Sequence, residues 1–153
     1  MVYSRLKIKK SEKIPELQTS HAILMLGDKY VLQLRDNKST INAPGQWTFF
    51  GGIKKPEETP LKAIKREIFE ELSIRPKKFK SLGSIKYNED RFGIPTKTYL
   101  FYAETGDVWE NCRLKEGQAV EAFTFEQTKD LKIPVDFRRV LDTFHNDFKE
   151  KTK

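Results

Sequence analysis

Residues 59–72 most narrow what this chain can fold into. Thr59 can cap a helix, and Pro60 falls in the first turn, where a missing N–H does no harm. Leu61, Ile64, Ile68 and Leu72 recur at helical spacing and form one apolar stripe, which Ser73 to Pro76 end. Around this helix the pattern is that of strands. Ala22 to Leu26 is an unbroken apolar run, suited to a strand buried on both faces. Gly27-Asp28 marks a turn, and Tyr30, Leu32 and Leu34 alternate with Val31, Gln33 and Arg35, completing a hairpin. A loop from Asn42 to Gly45 leads into a short aromatic strand, Trp47 to Phe50, that is expected to end at Gly51-Gly52. Later strands are predicted over Lys80–Tyr87, Lys97–Ala103 and Ala119–Phe125. A final helix is predicted from Asp136 to Phe148, with Phe137, Val140, Leu141, Phe144 and Phe148 on its inner face. Strands before and after one central helix, closed by a second, imply an α+β chain with a mixed sheet covered on both sides.

Size and charge fit that frame. A chain of 153 residues suits one domain, and 18 aromatic side chains (11 Phe, 5 Tyr, 2 Trp) supply large buried areas. No apolar run nears the ~20 residues of a membrane helix, and the first ten residues are too charged for a secretory signal. The expectation is a cytoplasmic protein, monomeric or homodimeric, without a membrane partner. The lone Cys112 excludes an intrachain disulfide and a thiolate zinc cluster. Residues 1–17 carry Arg5, Lys7, Lys9, Lys10 and Lys13, and are read as a basic arm or edge strand.

The polar face of the central helix breaks a local rule. At about 100° per residue, Glu70 lies about −60° and Glu71 about +40° from Glu67, so three carboxylates share one face. Glu67 and Glu71 are like charges one turn apart, which costs a few tenths of a kcal/mol on a bare helix. Arg66 relieves only part of this. A hard divalent cation supplies the missing compensation, because magnesium prefers carboxylate oxygens, waters and phosphate oxygens. The two glycines upstream allow close backbone approach and leave a carbonyl free. A solvated acidic face is the alternative for any isolated Glu-x-x-Glu-Glu.

The spacing of Gly52, Glu58, Arg66, Glu67, Ile68, Glu70, Glu71 and Ile74 resembles the Nudix hydrolase signature: Gly, five residues, Glu, seven residues, Arg-Glu-apolar-x-Glu-Glu-x-Gly-apolar. At typical residue frequencies such a match arises by chance on the order of 10⁻⁵ per chain. Two positions depart from the family: Ser73 stands for the glycine after the helix, and Phe50 for a frequent proline. A left-handed Ser73 costs about 1 kcal/mol. The resemblance extends from about Ala22 to Phe144 and implies the Nudix fold, an α/β/α sandwich, over a single domain spanning 1–153. It also implies Mg²⁺- or Mn²⁺-dependent attack of water on the diphosphate of a small-molecule nucleotide. Carried over, Glu70 and Glu71 ligate the metal, assisted by Glu67 and the Gly51 carbonyl. Lys115-Glu116-Gly117-Gln118 is similar to a loop bringing one more glutamate; Glu67 or Glu116 is the base, and Arg66 orients Glu67. Glu58 anchors the loop or joins the ion shell, and with Gly52 is placed at the substrate; Arg35, at the end of its strand, faces either the substrate cleft or solvent. An RNA 5′ end is the alternative substrate, encouraged by the net charge of +7, and a non-catalytic nucleotide sensor is a third reading.

Other residues carry less. His21, His145 and Cys112 lack partners at suggestive spacing, and Trp47 is read as core rather than as a base-stacking platform. In family members that cleanse oxidised guanine, a polar residue near the start of the last helix reads the base; here Phe137 falls there, beside Asp136.

Overall fold

The computed structural model describes residues 15–89 and 92–151 of the chain. The basic stretch 1–14 lies outside the described residues. Leu17 opens β1 (Leu17–Leu26), the strand around which the sheet is assembled. Ala22, Ile23, Leu24 and Met25 are each at most 1% exposed. Their burial explains the unbroken apolar run: Ala22 and Leu24 face one core, Ile23 and Met25 the other. A two-residue turn with Gly27 at φ +63° returns the chain into β2 (Lys29–Leu34), with Leu26 opposite Lys29.

β3 (Trp47–Thr48) extends β2, and β4 (Phe50–Ile53) pairs antiparallel with β1. The strand expected to stop at the glycines therefore continues through them. Gly51 and Gly52 lie opposite His21 and Ser20, and a Cβ on Gly51 would sit 2.1 Å from the Ser20 carbonyl oxygen, so only glycine fits this ladder. β5 (Lys80–Asn88) and β6 (Pro95–Glu104) form a hairpin bulged between Ser81 and Gly83, and β6 runs parallel to β1. β7 (Ala119–Phe123) pairs with β2 and completes a mixed, seven-stranded sheet among the described residues. Phe125 leaves the strand predicted for it. Thr124 and Gln127 form a reciprocal capping box that starts the short helix α2 (Phe125–Thr128) instead.

α1 (Pro60–Leu72) covers one face of the sheet, with Thr59 accepting the Lys62 N–H. Its buried side is turned from the expected stripe: Leu61 is 38% exposed, while Ala63, Ile64, Ile68, Glu71 and Leu72 are buried. α3 (Val135–Lys151) covers the other face through Phe137 and Leu141, packed with Phe49, Leu32 and Ile23. It begins one residue before the prediction and runs three beyond, directly after Pro134. The architecture is an α/β/α sandwich. Trp47 lies edge-on to Phe123 at 4.9 Å within the α3-side core, as its strand context suggests. Among the described residues, no helix is long and apolar enough to cross a membrane.

Candidate active site

The turn of α1 toward its acidic side brings Glu71 under the sheet edge, where it is 3% exposed. Its Oε1 accepts the Gly51 N–H at 3.0 Å and its Oε2 accepts Gln33 Nε2 at 3.1 Å. No cation reaches it among the described residues. Burial, followed by the charges of Glu67 and Glu116, pushes its carboxyl up to about 8. Glu67 is also raised, first by burial, with Arg66 opposing and Glu70 and Glu116 adding to the shift. Three of the predicted carboxylates, Glu67, Glu71 and Glu116, therefore lie near enough to feel one another.

Glu116 reaches this position through a loop that finishes the helix. The Arg113 and Lys115 N–H groups donate to the Leu72 and Glu71 carbonyls at 2.8 and 2.9 Å, capping carbonyls α1 would leave free. The Gln118 N–H then joins the Leu34 carbonyl at 2.8 Å, and Gln118 Nε2 donates to the Arg35 carbonyl. Gly117 between them has φ +84°, and a Cβ there would meet the Leu34 carbonyl at 2.8 Å. The glycine of the tetrapeptide is thus a steric requirement of the seam between helix and strand. Ser73 adopts the left-handed conformation its position demands, φ 59° and ψ 24°, and its N–H caps the Phe69 carbonyl at 2.9 Å.

Arg66 organises the remaining acids. Its Nε and Nη2 form a fork on Glu58 at 2.7 and 2.8 Å, Nη1 reaches Glu67 at 2.9 Å and Glu70 at 3.2 Å, and Nη2 also donates to the Ile53 carbonyl. Glu58 additionally accepts the Lys55 N–H, which closes the turn after β4. Of its two readings, these contacts match the loop anchor, and Glu58 is not among the residues lining the cavity beside the site. Gly52 does line that cavity; a Cβ on it would stand 2.7 Å from the Glu67 carboxyl. Arg35 also lines it, with Nε donating to the Asn42 carbonyl at 2.8 Å.

As placed, Glu67 and Glu70 close on Arg66 while Glu71 closes on Gly51. Among the described residues no three His, Cys, Asp or Glu side chains converge as a metal cage. The chemistry of the donors nevertheless fits a hard divalent cation: oxygen ligands only, mutually repelling, one of them buried without a counter-charge.

Two participants escaped the sequence reading. Gln33 supports Glu71; its signal was a polar residue directly after Tyr30, Val31 and Leu32, which are buried. His21 lines the cavity, with Nδ1 at 2.9 Å from Thr98 Oγ1. Burial, then the charge of Arg35, pushes its imidazole down to about 3 and keeps it neutral.

The NUDIX domain model matches residues 16–144. The chain belongs to the Nudix family. Diphosphoinositol polyphosphate phosphohydrolase 3-beta of Bos taurus is 33% identical over 73 residues, 48% of this chain and 43% of that protein. The 3-alpha protein of Mus musculus matches to the same extent. The chain thus spans less than half the length of the curated relatives it matches. The NUDIX domain of Shewanella oneidensis NrtR, complexed with ADP ribose, superposes with a TM-score of 0.74 at 17% identity, over 96% of this chain and 97% of that one. The MutT protein of Methanosarcina mazei Go1 gives 0.74 at 19% identity, over 94% and 100%. At these identities the structures establish the shared fold.

Proposed function

We propose that this chain hydrolyses the diphosphate linkage of a nucleotide or nucleoside diphosphate derivative, with Mg²⁺ or Mn²⁺ held by Glu67, Glu70, Glu71, Glu116 and the Gly51 carbonyl. One observation carries the reading: Glu71 is buried beside Glu67 and Glu116 without a cation, and accepts the N–H of Gly51, which lines a cavity of about 620 Å³. Such a cluster is costly to fold and useful only when positive charge arrives. When bound, the cation would neutralise the diphosphate and make a water more acidic.

The chain's own residues account for the rest. Arg66 holds Glu67 and Glu70 against one wall, so a ligand drawing on them exchanges contacts with a guanidinium that stays anchored to Glu58. Gly52 leaves room for the Glu67 carboxyl, which a Cβ at that position would push aside. Water attacks one phosphorus, Glu67 or Glu116 takes its proton, and the other phosphate departs with the electrons of the broken P–O bond. Loop 113–118, pinned at both ends, holds Glu116 opposite the helix. Hydrolysis of a nucleotide panel in ¹⁸O-water with and without magnesium tests the reading, and the labelled product names the phosphorus attacked. Absence of magnesium-dependent turnover on every nucleotide and diphosphate ester in the panel refutes it.

A further inference from the structure

We propose that Gln33 is a positioning residue, whose one amide holds the Glu71 carboxylate and the loop carrying Glu116 in the register that takes up the divalent cation. The inference rests on the hydrolase reading for the cation and adds to it the side chain that shapes the cation's seat.

Gln33 stands where β2 is paired on both sides: Thr48 of β3 lies opposite it in one ladder and Val120 of β7 in the other. Its backbone is therefore fixed, and its side chain, 3% exposed, reaches from the sheet to α1. Both hydrogens of the amide are used. Nε2 donates to Glu71 Oε2 at 3.1 Å and to the carbonyl of Phe49, just before the strand of Gly51 and Gly52, at 3.3 Å. The remaining polar atom, Oε1, faces the Glu116 loop: a Cβ on Gly117 would stand 3.4 Å from it. One side chain thus touches helix, glycine strand and loop, the three segments that supply the proposed ligands.

The chemistry of an amide suits this place. An aliphatic residue would pack as Val31 does on the same face, but would take its donor away from Glu71 and from the Phe49 carbonyl. A lysine would supply the positive charge itself, and an arriving cation would find the carboxylate already paired. A neutral donor does neither: it fixes the orientation of the carboxylate and leaves its charge in place. An ionised carboxyl offers about four lone-pair sites. The Gly51 N–H takes one on Oε1 and Gln33 takes one on Oε2, so each oxygen keeps one for a cation. Partners that orient a metal-ligating side chain in this way change metal affinity by about 10–100-fold when removed. Because the same amide abuts Gly117, its loss also loosens the seat of Glu116 beside Glu71.

The test is Mn²⁺ titration of the full chain, with free Mn²⁺ read by electron paramagnetic resonance, alongside melting curves in EDTA and hydrolysis of the nucleotide panel. Gln33→Met keeps the length of the side chain and loses the amide; it should weaken Mn²⁺ binding about tenfold or more. Gln33→Lys brings a cation to Glu71; it should weaken Mn²⁺ further still while raising the melting temperature in EDTA at pH 7.5. A purely structural Gln33 would lower the melting temperature of Gln33→Met and leave the Mn²⁺ affinity of the folded protein alone. The proposal is overturned if either variant binds Mn²⁺ within about twofold of the parent. Mn²⁺ binding that depends on Gln33, without hydrolysis of any member of the panel, would overturn the hydrolase reading alone. Magnesium-dependent hydrolysis with equal Mn²⁺ affinity in parent and Gln33→Met would overturn this one alone, and a parent that binds no Mn²⁺ overturns both.

Discussion

Glu71→Gln should separate the folding cost of the acidic wall from its use. In the unfolded chain this carboxyl titrates near 4.5, and in the folded protein at about 8, so the folded state holds the proton more tightly. Stability contributed by the protonated group is full below pH 4.5 and is lost as pH rises toward 8. Between pH 5 and pH 7.5 that loss is about 3 kcal/mol. Glutamine does not titrate and escapes it. Its oxygen can keep the Gly51 N–H, but its NH₂ then meets Gln33, whose amide must rotate and give up the Phe49 carbonyl. That exchange costs about 1 kcal/mol. Urea unfolding in EDTA should therefore find parent and variant about equal at pH 5, and the variant ahead by about 3 kcal/mol at pH 7.5. Magnesium at pH 7.5 should raise the parent, leave the variant nearly unmoved, and reveal turnover reduced by about 10² or more. Parallel stability curves across this pH range would refute the argument that Glu71 is a buried, uncompensated charge.

Four further substitutions probe the frame around it. Ser73→Gly should relieve the left-handed cap and raise the melting temperature by about 2–4 °C, worth about 1 kcal/mol; an unchanged melting curve would show the cap to be unstrained. Gly52→Ala pushes only on the flexible end of Glu67 and should cut turnover about 10²-fold while stability, read by urea unfolding, stays within about 1 kcal/mol. Gly51→Ala, whose Cβ strikes the Ser20 backbone, should cost more than about 3 kcal/mol in the same unfolding assay. Arg66→Ala frees Glu58, whose carboxyl is held down to about 2, chiefly by the Arg66 hydrogen bond. That contribution is present above pH 4.5 and lost as pH falls toward 2, so the variant's stability deficit should shrink over this interval. A deficit independent of pH would assign the loss to packing alone.

Sequence reading recovered those parts of the molecule fixed by short-range rules. The hairpin at Gly27, the helix started by Thr59 and Pro60, and the left-handed Ser73 each follow from a few neighbouring residues. So does the doubly buried β1, whose unbroken apolar run has one meaning in a covered sheet. Local rules failed where a distant segment decided the outcome. β4 continues through Gly51 and Gly52 because β1 offers Ser20 and His21 as partners, although two glycines alone argue for a break. Phe125 leaves the sheet because a capping box competes successfully with strand propensity.

The same division runs through the site. The spacing of Glu67, Glu70 and Glu71 places them on one helix face, but it does not say how that face is turned. The sheet turns it: Ala63 packs inward, Leu61 is left half in solvent, and the acidic edge goes down with Glu71. Only then does Gln33, 38 residues before Glu71 and unremarkable in its strand, become the partner of a buried carboxylate. Glu116 follows the same logic, since its loop is fixed by helix carbonyls and by the Leu34 carbonyl that Gly117 must clear. The acids were therefore legible as a group, whereas the burial that leaves Glu71 without a counter-charge arises from packing between elements far apart in the chain.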